Sequence, residues 1–155
     1  MKKLFVLLSV FLILVDQELK IIFFGILNEN NANIVIIPNV AELVMVHNRG
    51  AAFGILQNNR WIFILFSVLA FFCFIYIIFI RGINDKLFII SSMLVVGGGV
   101  GNLIDRIFRG FVIDYIKLSF FPPVFNFADI CISIGGMLLI VYVYLGRGSK
   151  VSVNG

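Results

Sequence analysis

The chain has 155 residues, of which 61% are hydrophobic and 13% are charged, and its formal net charge at pH 7 is +4. A mean hydropathy of +1.11 is far too apolar for a soluble domain of this length and is typical of an integral membrane protein. The basic residues are scattered along the chain, which argues against nucleic-acid binding. A single histidine excludes a His-rich metal site.

Four segments are apolar for about 20 residues, the length that a helix needs to cross a bilayer. We expect transmembrane helices at about residues 4–27, 61–80, 87–108 and 127–145. The N-terminus begins like a signal peptide, with lysines before an apolar run. The run continues to Leu27 without a small-x-small cleavage site, so we interpret it as the first helix.

Orientation follows from the lysines and arginines that flank the helices. The richer side carries both termini and the loop at 81–86, which we therefore expect to be cytoplasmic. The long connections, at about 28–60 and 109–126, then face outward. In the first of them, the β-rich runs Ile34–Ile37 and Leu43–Val46 flank a turn at Pro38-Asn39 and predict a small sheet on the outer surface.

Polar residues concentrate in the third helix and the segment that follows it. Asn102, Asp105 and Arg106 are spaced so that all three can share one face of a helix. Ionisable groups are costly in hydrocarbon, so such a cluster in a membrane protein predicts a functional site. Gly101, in small-xxx-small spacing with Gly97, is explained more simply by close helix packing.

Two further carboxylates lie beyond the third helix. Asp114 falls in the alternating segment FVIDYI, which predicts a short strand, and Pro122-Pro123 precludes a helix before the fourth span. Asn126 and Asp129 lie at the start of that span, where helix capping is the simple interpretation of one of them. Capping does not account for both of them together with Asp114.

Asp16 and Lys20 are four residues apart in the first helix and can pair. Two interpretations stay open, namely a buried ion pair that locates the helix, or support for the polar cluster. In the outer loop, Asn48 and Gly50 indicate a turn, and Asn48 either belongs to a plain loop or reaches the cluster. His47 is interpreted as a solvated or interfacial residue.

Asp114 and Asp129 are predicted at the same depth, near the outer interface. Two carboxylates held close in a medium of low dielectric share one proton, an arrangement suited to hydrolysis of an amide. Serine or cysteine catalysis is disfavoured because no histidine is placed to assist. A metal bound by oxygen alone would usually recruit more carboxylates, so neither metal nor cofactor is expected.

Four motifs, in order, carry a resemblance to a family: DQELK, NRGAAFG, GNLIDRIFRGFVIDYI and FNFAD. Their order and spacing over the whole chain resemble the lipoprotein signal peptidases, or type II signal peptidases. The resemblance implies an α-helical integral membrane protein with four transmembrane helices and a small outer β-sheet, forming one peptidase domain over 1–155. Such enzymes cleave bacterial prolipoproteins just before a diacylglyceryl-modified cysteine, and globomycin-type antibiotics block them.

The resemblance also implies roles for the matching residues. Asp114 and Asp129 look like the catalytic pair. The polar residues that would hold substrate or orient the pair are Asn48, Asn102, Arg106 and Asn126. Structural or supporting roles fall to Asp16, Lys20, Asp105, Gly50 and Gly101. The implied setting is a monomer in the bacterial cytoplasmic (inner) membrane, with its active site near the outer face, acting on lipid-modified prolipoproteins among membrane lipids.

Two other classes of protein compete with this interpretation. A small ion-coupled transporter would use the buried carboxylates as a relay, but its binding residues should lie near mid-membrane on repeated helices. A non-catalytic assembly subunit would use polar residues to join helices, and it predicts that Asp114 and Asp129 pair with lysine or arginine.

Overall fold

The computed structural model describes residues 1–30, 33–50 and 59–146. Most of the outer-loop motif NRGAAFG, from residue 51 onward, and the basic tail from 147 lie outside the described residues. Four helices fall within the described part: α1 (Lys2–Asn30), α2 (Arg60–Ile75, continued as a π-helical turn over Tyr76–Ile80), α3 (Lys86–Phe108) and α4 (Phe127–Tyr144). Their bounds agree with the predicted segments to within three residues.

Three of these helical segments are long and apolar enough to cross a membrane: Arg60–Ile80, Lys86–Phe108 and Phe127–Tyr144. Helix α1 has 29 residues and is also long enough, but Asp16, Glu18 and Lys20 interrupt its apolar run. Helix α2 has no buried residue before its π-helical turn, as expected for a helix that faces lipid.

Helix α3 lies at the centre of the bundle because its glycines allow two neighbours to approach closely. Gly97 and Gly101 face α1, where a Cβ would lie 2.9 Å from Leu12 Cβ and 2.5 Å from Asp16 Oδ2, respectively. Gly98 faces α4, against the carbonyl of Ala128. The expected packing role of the small residues is confirmed.

A four-stranded antiparallel sheet covers one end of the bundle, where α1 and α3 end and α2 and α4 begin; we call this the sheet end. The strand order is β1-β2-β3-β4, with β1 at Ile34–Ile37, β2 at Ala41–Asn48, β3 at Val112–Leu118 and β4 at Phe121–Phe125. The predicted hairpin of β1 and β2 is present, and Asn39 adopts a positive φ of 60° in its turn. The predicted strand around Asp114 is β3.

Strand β4 was not expected, because the sequence Phe121-Pro122-Pro123 indicates a segment without regular structure. A proline cannot donate to a strand ladder, but it is tolerated on an edge strand. Strand β4 is such an edge, since it pairs with β3 alone. Tertiary pairing therefore extends the sheet beyond what local sequence preference indicates.

Candidate active site

Asp114 lies at the middle of β3, on the face of the sheet opposite to its neighbours Ile113 and Tyr115. Those two side chains pack against Leu27 of α1. Because side chains alternate along a strand, Asp114 points to the opposite face of the sheet. There Asn48 Nδ2 donates to Asp114 Oδ2 at 2.7 Å. Asn126 Nδ2 donates to Asp114 Oδ1 at 2.6 Å. Both oxygens of this buried carboxylate are thus held by amide donors.

Asp129 lies in the first turn of α4, and Asn126 is the N-cap of that helix. The Asn126 side chain accepts from the Asp129 backbone N–H at 3.0 Å, and Asp129 Oδ2 accepts from the Asn126 N–H at 3.1 Å. This reciprocal capping box involves both residues, so the expectation that capping explains only one of them is wrong. Capping uses Asn126 Oδ1 and Asp129 Oδ2, which leaves Asn126 Nδ2 and Asp129 Oδ1 to serve the site.

Asn102 connects the two carboxylates to helix α1. Its Nδ2 donates to Asp129 Oδ1 at 2.8 Å. Its Oδ1 accepts from Lys20 Nζ at 2.9 Å and from Asn126 Nδ2 at 3.2 Å. Because an ammonium group can only donate, Lys20 requires the carbonyl of the Asn102 amide on its side and thereby turns the NH₂ group toward Asp129.

Lys20 also lies between two carboxylates, 2.8 Å from Asp16 Oδ2 and 2.9 Å from Asp105 Oδ2. The Asp16–Lys20 pair is therefore a buried ion pair that also contacts the polar cluster through Asn102. Asp105 and Asn102 both contact Lys20 Nζ and so share a face, whereas Arg106 turns away from Lys20 toward the ring of Phe63 on α2. Successive side chains on a helix point in different directions, so position 105 can face α1 while position 106 faces α2.

Two residues of this charged cluster were missed by sequence reasoning. Arg109 forms an ion pair with Asp105, and Arg109 Nη1 lies 3.1 Å from Gln17 Oε1. Gln17 Nε2 also donates to the backbone carbonyl of Gly101 at 3.1 Å. The spacing of four residues between Asp105 and Arg109 could have predicted their ion pair. It was overlooked because Arg109 was expected in the connection that follows the third helix.

Among the described residues, neither Asp114 nor Asp129 forms an ion pair with a lysine, arginine or histidine. The assembly-subunit hypothesis predicted such pairs. The four charged groups that do pair inside the bundle, Asp16, Lys20, Asp105 and Arg109, sum to zero charge and leave the Asp114–Asp129 pair to amide donors.

A cavity of about 660 Å³ opens beside the pair, between the sheet and helices α2, α3 and α4. Asp129 lines it, while Asp114 is buried behind it. Arg106 also lines the cavity and places its guanidinium 4.8 Å from the ring centre of Phe63. The other polar side chains are Asn48, Asn102, Ser67 and Ser133, and the remaining lining, apart from Gly50 and Gly99, is largely aromatic and aliphatic.

Burial first, and then the nearby Asp129 charge, raise the pKa of Asp114 from its ordinary value to about 7. The amide bonds from Asn48 and Asn126 act against this shift. Asp114 is thus poised to hold a proton near neutral pH.

The remaining candidate ligands and catalysts lie elsewhere. The ring of His47 stacks on Phe111 at 4.2 Å between ring centres, on the face of the sheet away from Asp114. This is consistent with an interfacial residue. Within the described ranges, no three His, Cys, Asp or Glu side chains are grouped so that they could hold a metal ion.

The fold and the site together define a class of protein: a helical membrane protein with a small sheet at one end and two carboxylates, one buried and one lining a largely apolar cavity. Comparison with known proteins narrows the class. Residues 8–145 match the Peptidase_A8 family, described as signal peptidase (SPase) II. The chain belongs to this signal peptidase II family.

Two curated relatives, both called lipoprotein signal peptidase, support the assignment. The protein from Clostridioides difficile (strain 630) is 42% identical over 145 residues, which are 90% of this chain and 94% of the relative. The protein from Halothermothrix orenii (strain H 168 / OCM 544 / DSM 9562) is 40% identical over 132 residues, 85% of this chain and 89% of the relative.

Solved structures share the fold. A bacterial membrane enzyme determined in meso at 2.3 Å resolution superposes with a TM-score of 0.79 at 24% identity, over 99% of this chain and 93% of that one. A second, at 1.9 Å resolution, gives a TM-score of 0.77 at 26% identity, over 91% and 92% of the two chains.

Proposed function

We propose that the chain is an intramembrane aspartyl endopeptidase that removes signal peptides from diacylglyceryl-modified prolipoproteins. Its membership of the signal peptidase II family supports signal-peptide removal, and the names of its relatives point to lipoproteins as substrates. The observation that carries the aspartyl mechanism is the pair of carboxylates, Asp114 and Asp129, held by amide groups and not by cations beside a largely apolar cavity.

In the proposed reaction, Asp129 is the base and Asp114 carries the proton. Asp129 lines the cavity and takes a proton from water, whose hydroxide adds to the scissile carbonyl carbon. The C–N bond then breaks, and the leaving nitrogen takes a proton from the aspartate pair. The products are the carboxyl end of the signal peptide and a new amino terminus at the lipidated cysteine. Raising the pKa of Asp114 to about 7 supports its role as the protonated member.

The other site residues hold the pair and the substrate. Asn126 and Asn102 orient Asp114 and Asp129 through the bonds described above, and Asn48 holds Asp114 from the sheet. The Arg106 guanidinium lines the cavity, where it can donate to a substrate carbonyl. Gly50, Gly101, Asp16, Lys20 and Asp105 serve the frame, since Gly101 has no Cβ to collide with Asp16.

The apolar part of the cavity supports entry of substrate from the bilayer, with the diacylglyceryl chains staying in hydrocarbon. We place all of residues 1–155 in one peptidase domain, with α1 as a fourth transmembrane helix, both termini in the cytoplasm and the sheet end outside the bacterial cytoplasmic membrane. The long segments at about 28–60 and 109–126 are then the outer ones. Globomycin-type inhibitors would compete for the same cavity of a monomeric enzyme.

The experiment is cleavage of a diacylglyceryl-modified prolipoprotein by the purified chain in detergent, beside Asp114→Asn and Asp129→Asn. We expect each variant to lose about 1,000-fold or more in rate, because general acid–base groups contribute roughly 10² to 10⁴ each. Glu42→Gln is the matched control, since Glu42 lies on the same sheet and pairs with the exposed Lys117. If a folded Asp variant keeps near-parent turnover, the assignment of the pair is wrong.

A further inference from the structure

Two further cavities lie on the other face of the sheet, away from Asp114. The first, which we call the arginine pocket, has a volume of about 290 Å³ and is lined by Arg49, Arg60, Arg109, Gly110 and Phe111. The second, which we call the apolar groove, has a volume of about 370 Å³ and is lined by Ile21, Phe24, Arg109, Phe111 and Ile113. The two cavities share Arg109 and Phe111, so they adjoin.

The arginine pocket contains more positive charge than the described carboxylates around it offset. Arg109 is paired with Asp105, but no carboxylate among the described residues pairs with Arg49 or Arg60. The charges of Arg49 and Arg60, which no described carboxylate offsets, repel each other across one cavity, and an anion within it would remove that cost. Gly110, with a φ of +81°, keeps space open for the Arg60 guanidinium, because a Cβ at position 110 would lie 3.2 Å from Arg60 Nη1.

The apolar groove indicates what kind of anion this is. Its walls are the side chains of α1 and of the segment that leads into β3, and Ile21 is 55% exposed. The pocket lies where α2 begins and α3 ends, next to Trp61 and Phe108, which are 67% and 81% exposed. Exposed aromatic residues at helix ends are typical of the membrane–water interface. An anion that lies at the membrane–water interface and carries an apolar tail has the chemistry of a lipid headgroup with its acyl chain.

We propose that the arginine pocket and the apolar groove form a binding site for an anionic glycerophospholipid, separate from the peptidase cavity. The phosphate lies among Arg49, Arg60 and Arg109, and one acyl chain follows the groove past Phe24 and Ile21. Guanidinium groups suit phosphate because they donate two parallel hydrogen bonds to it. The site needs no cleavage reaction, so its test is independent of the proposed function.

The test measures how much phosphatidylglycerol the purified full chain retains in nonionic detergent. Native mass spectrometry across a lipid titration detects the bound lipid. We expect Arg49→Gln and Arg60→Gln each to weaken retention about fivefold, the effect of one basic residue near an anionic lipid surface. Arg81→Gln, an exposed arginine at the other end of the bundle, should change nothing. Arg109 is left unchanged because it also pairs with Asp105.

The apolar groove has its own matched pair. Ile21 lines the groove and Ile22 does not, although the two are 55% and 49% exposed. We expect Ile21→Ser to weaken retention about threefold, as loss of apolar contact area predicts, and Ile22→Ser to leave it unchanged. Phosphatidylcholine, without net charge, should bind the parent no better than it binds Arg49→Gln.

Three outcomes would overturn the proposal. An equal loss in Arg81→Gln would show retention by overall charge alone. Displacement of the lipid by glycerol phosphate at equal concentration, with no difference between the two isoleucine variants, would assign the pocket to free phosphate. Arginine-dependent binding of an oligoglutamate peptide without lipid retention would assign it to an acidic polypeptide. Thermal unfolding of each variant confirms that it is folded before binding is compared.

Discussion

The ammonium group of Lys20 is fully buried and lies within 2.9 Å of oxygens from Asp16, Asp105 and Asn102. Removing one partner of a buried ion pair leaves an unpaired charge in a medium of low dielectric, which costs about 3–5 kcal/mol. The Lys117–Glu42 pair, with side chains 45% and 28% exposed, is the surface counterpart. Exposed pairs contribute about 0–1 kcal/mol.

We therefore expect Lys20→Met to lower the free energy of unfolding in detergent by several kcal/mol, on the order of the cost of a broken buried pair. Lys117→Met should lower it by less than about 1 kcal/mol. Chemical unfolding followed by circular dichroism measures both. Equal losses in the two variants would show that the buried cluster contributes no special stability.

A second prediction at the residue scale concerns pH. Because the pKa of Asp114 is raised to about 7, activity that needs its proton should fall as pH rises through about 7. Between the ordinary pKa and about 7, the folded state holds more protons at this site than the unfolded state, so the free energy of unfolding falls as pH rises.

Asp114→Asn removes this dependence. We expect the variant to gain thermal stability relative to the parent at pH 8, and to gain less at pH 5, where Asp114 is neutral in the folded protein. Differential scanning calorimetry at the two values measures the gain. A gain that is the same at both pH values would contradict the assignment of the raised pKa to Asp114.

At the scale of elements, the contact of α3 with α4 depends on glycines that meet the neighbouring backbone. A Cβ at Gly135 would lie 2.8 Å from the Ser91 carbonyl and 2.9 Å from Leu94 Cβ. A Cβ at Gly136, the next residue, would meet nothing within 4 Å. The two positions share a helix and differ only in the face they occupy.

We expect Gly135→Ala to destabilise the protein by about 1–3 kcal/mol, because overpacking forces the two helices apart. Gly136→Ala should be neutral or stabilising by up to about 1 kcal/mol, the gain in helix propensity over glycine. The measurement is thermal unfolding in one detergent. If Gly136→Ala destabilised the protein as much as Gly135→Ala, the contact of α4 with α3 through Gly135 would be contradicted.

The sequence predicts elements well where one local signal dominates. Apolar runs predict all four helices of the described part, and the β-rich runs around Pro38-Asn39 predict the hairpin. Strand β4 was missed because its two prolines oppose a strand locally, and only its edge position in the sheet permits it. The site residues Asp114 and Asp129 remain predictions in their catalytic role.

The local sequence does not predict which elements contact one another. Spacing along α3 grouped Asp105 with Asn102 and Arg106, but it did not show that Asp105 and Asn102 meet Lys20 of α1 while Arg106 meets Phe63 of α2. The roles of Gln17 and Arg109 depend in the same way on how α1 and α3 pack. Helix periodicity tells which residues share a face, but not which neighbour that face meets.

At the scale of the whole molecule, the single tryptophan offers a test of how the bundle lies in the membrane. Trp61 is at the start of α2, beside the sheet end, and is 67% exposed. We expect its fluorescence in vesicles to be quenched more strongly by lipids brominated near the headgroup than by lipids brominated near the acyl-chain ends. Stronger quenching by the deep bromines would place the sheet end inside the hydrocarbon.

The charged cluster of α1 also bears on how the protein is made. Lys20 finds Asp105 on α3, and Asp16 accepts from the backbone N–H of Ala128 on α4. When α1 leaves the ribosome, neither of these partners has been synthesised. Until then Lys20 has only Asp16 of its own helix as a charged partner. The polar contacts of α1 are therefore complete only when α4 has packed beside it.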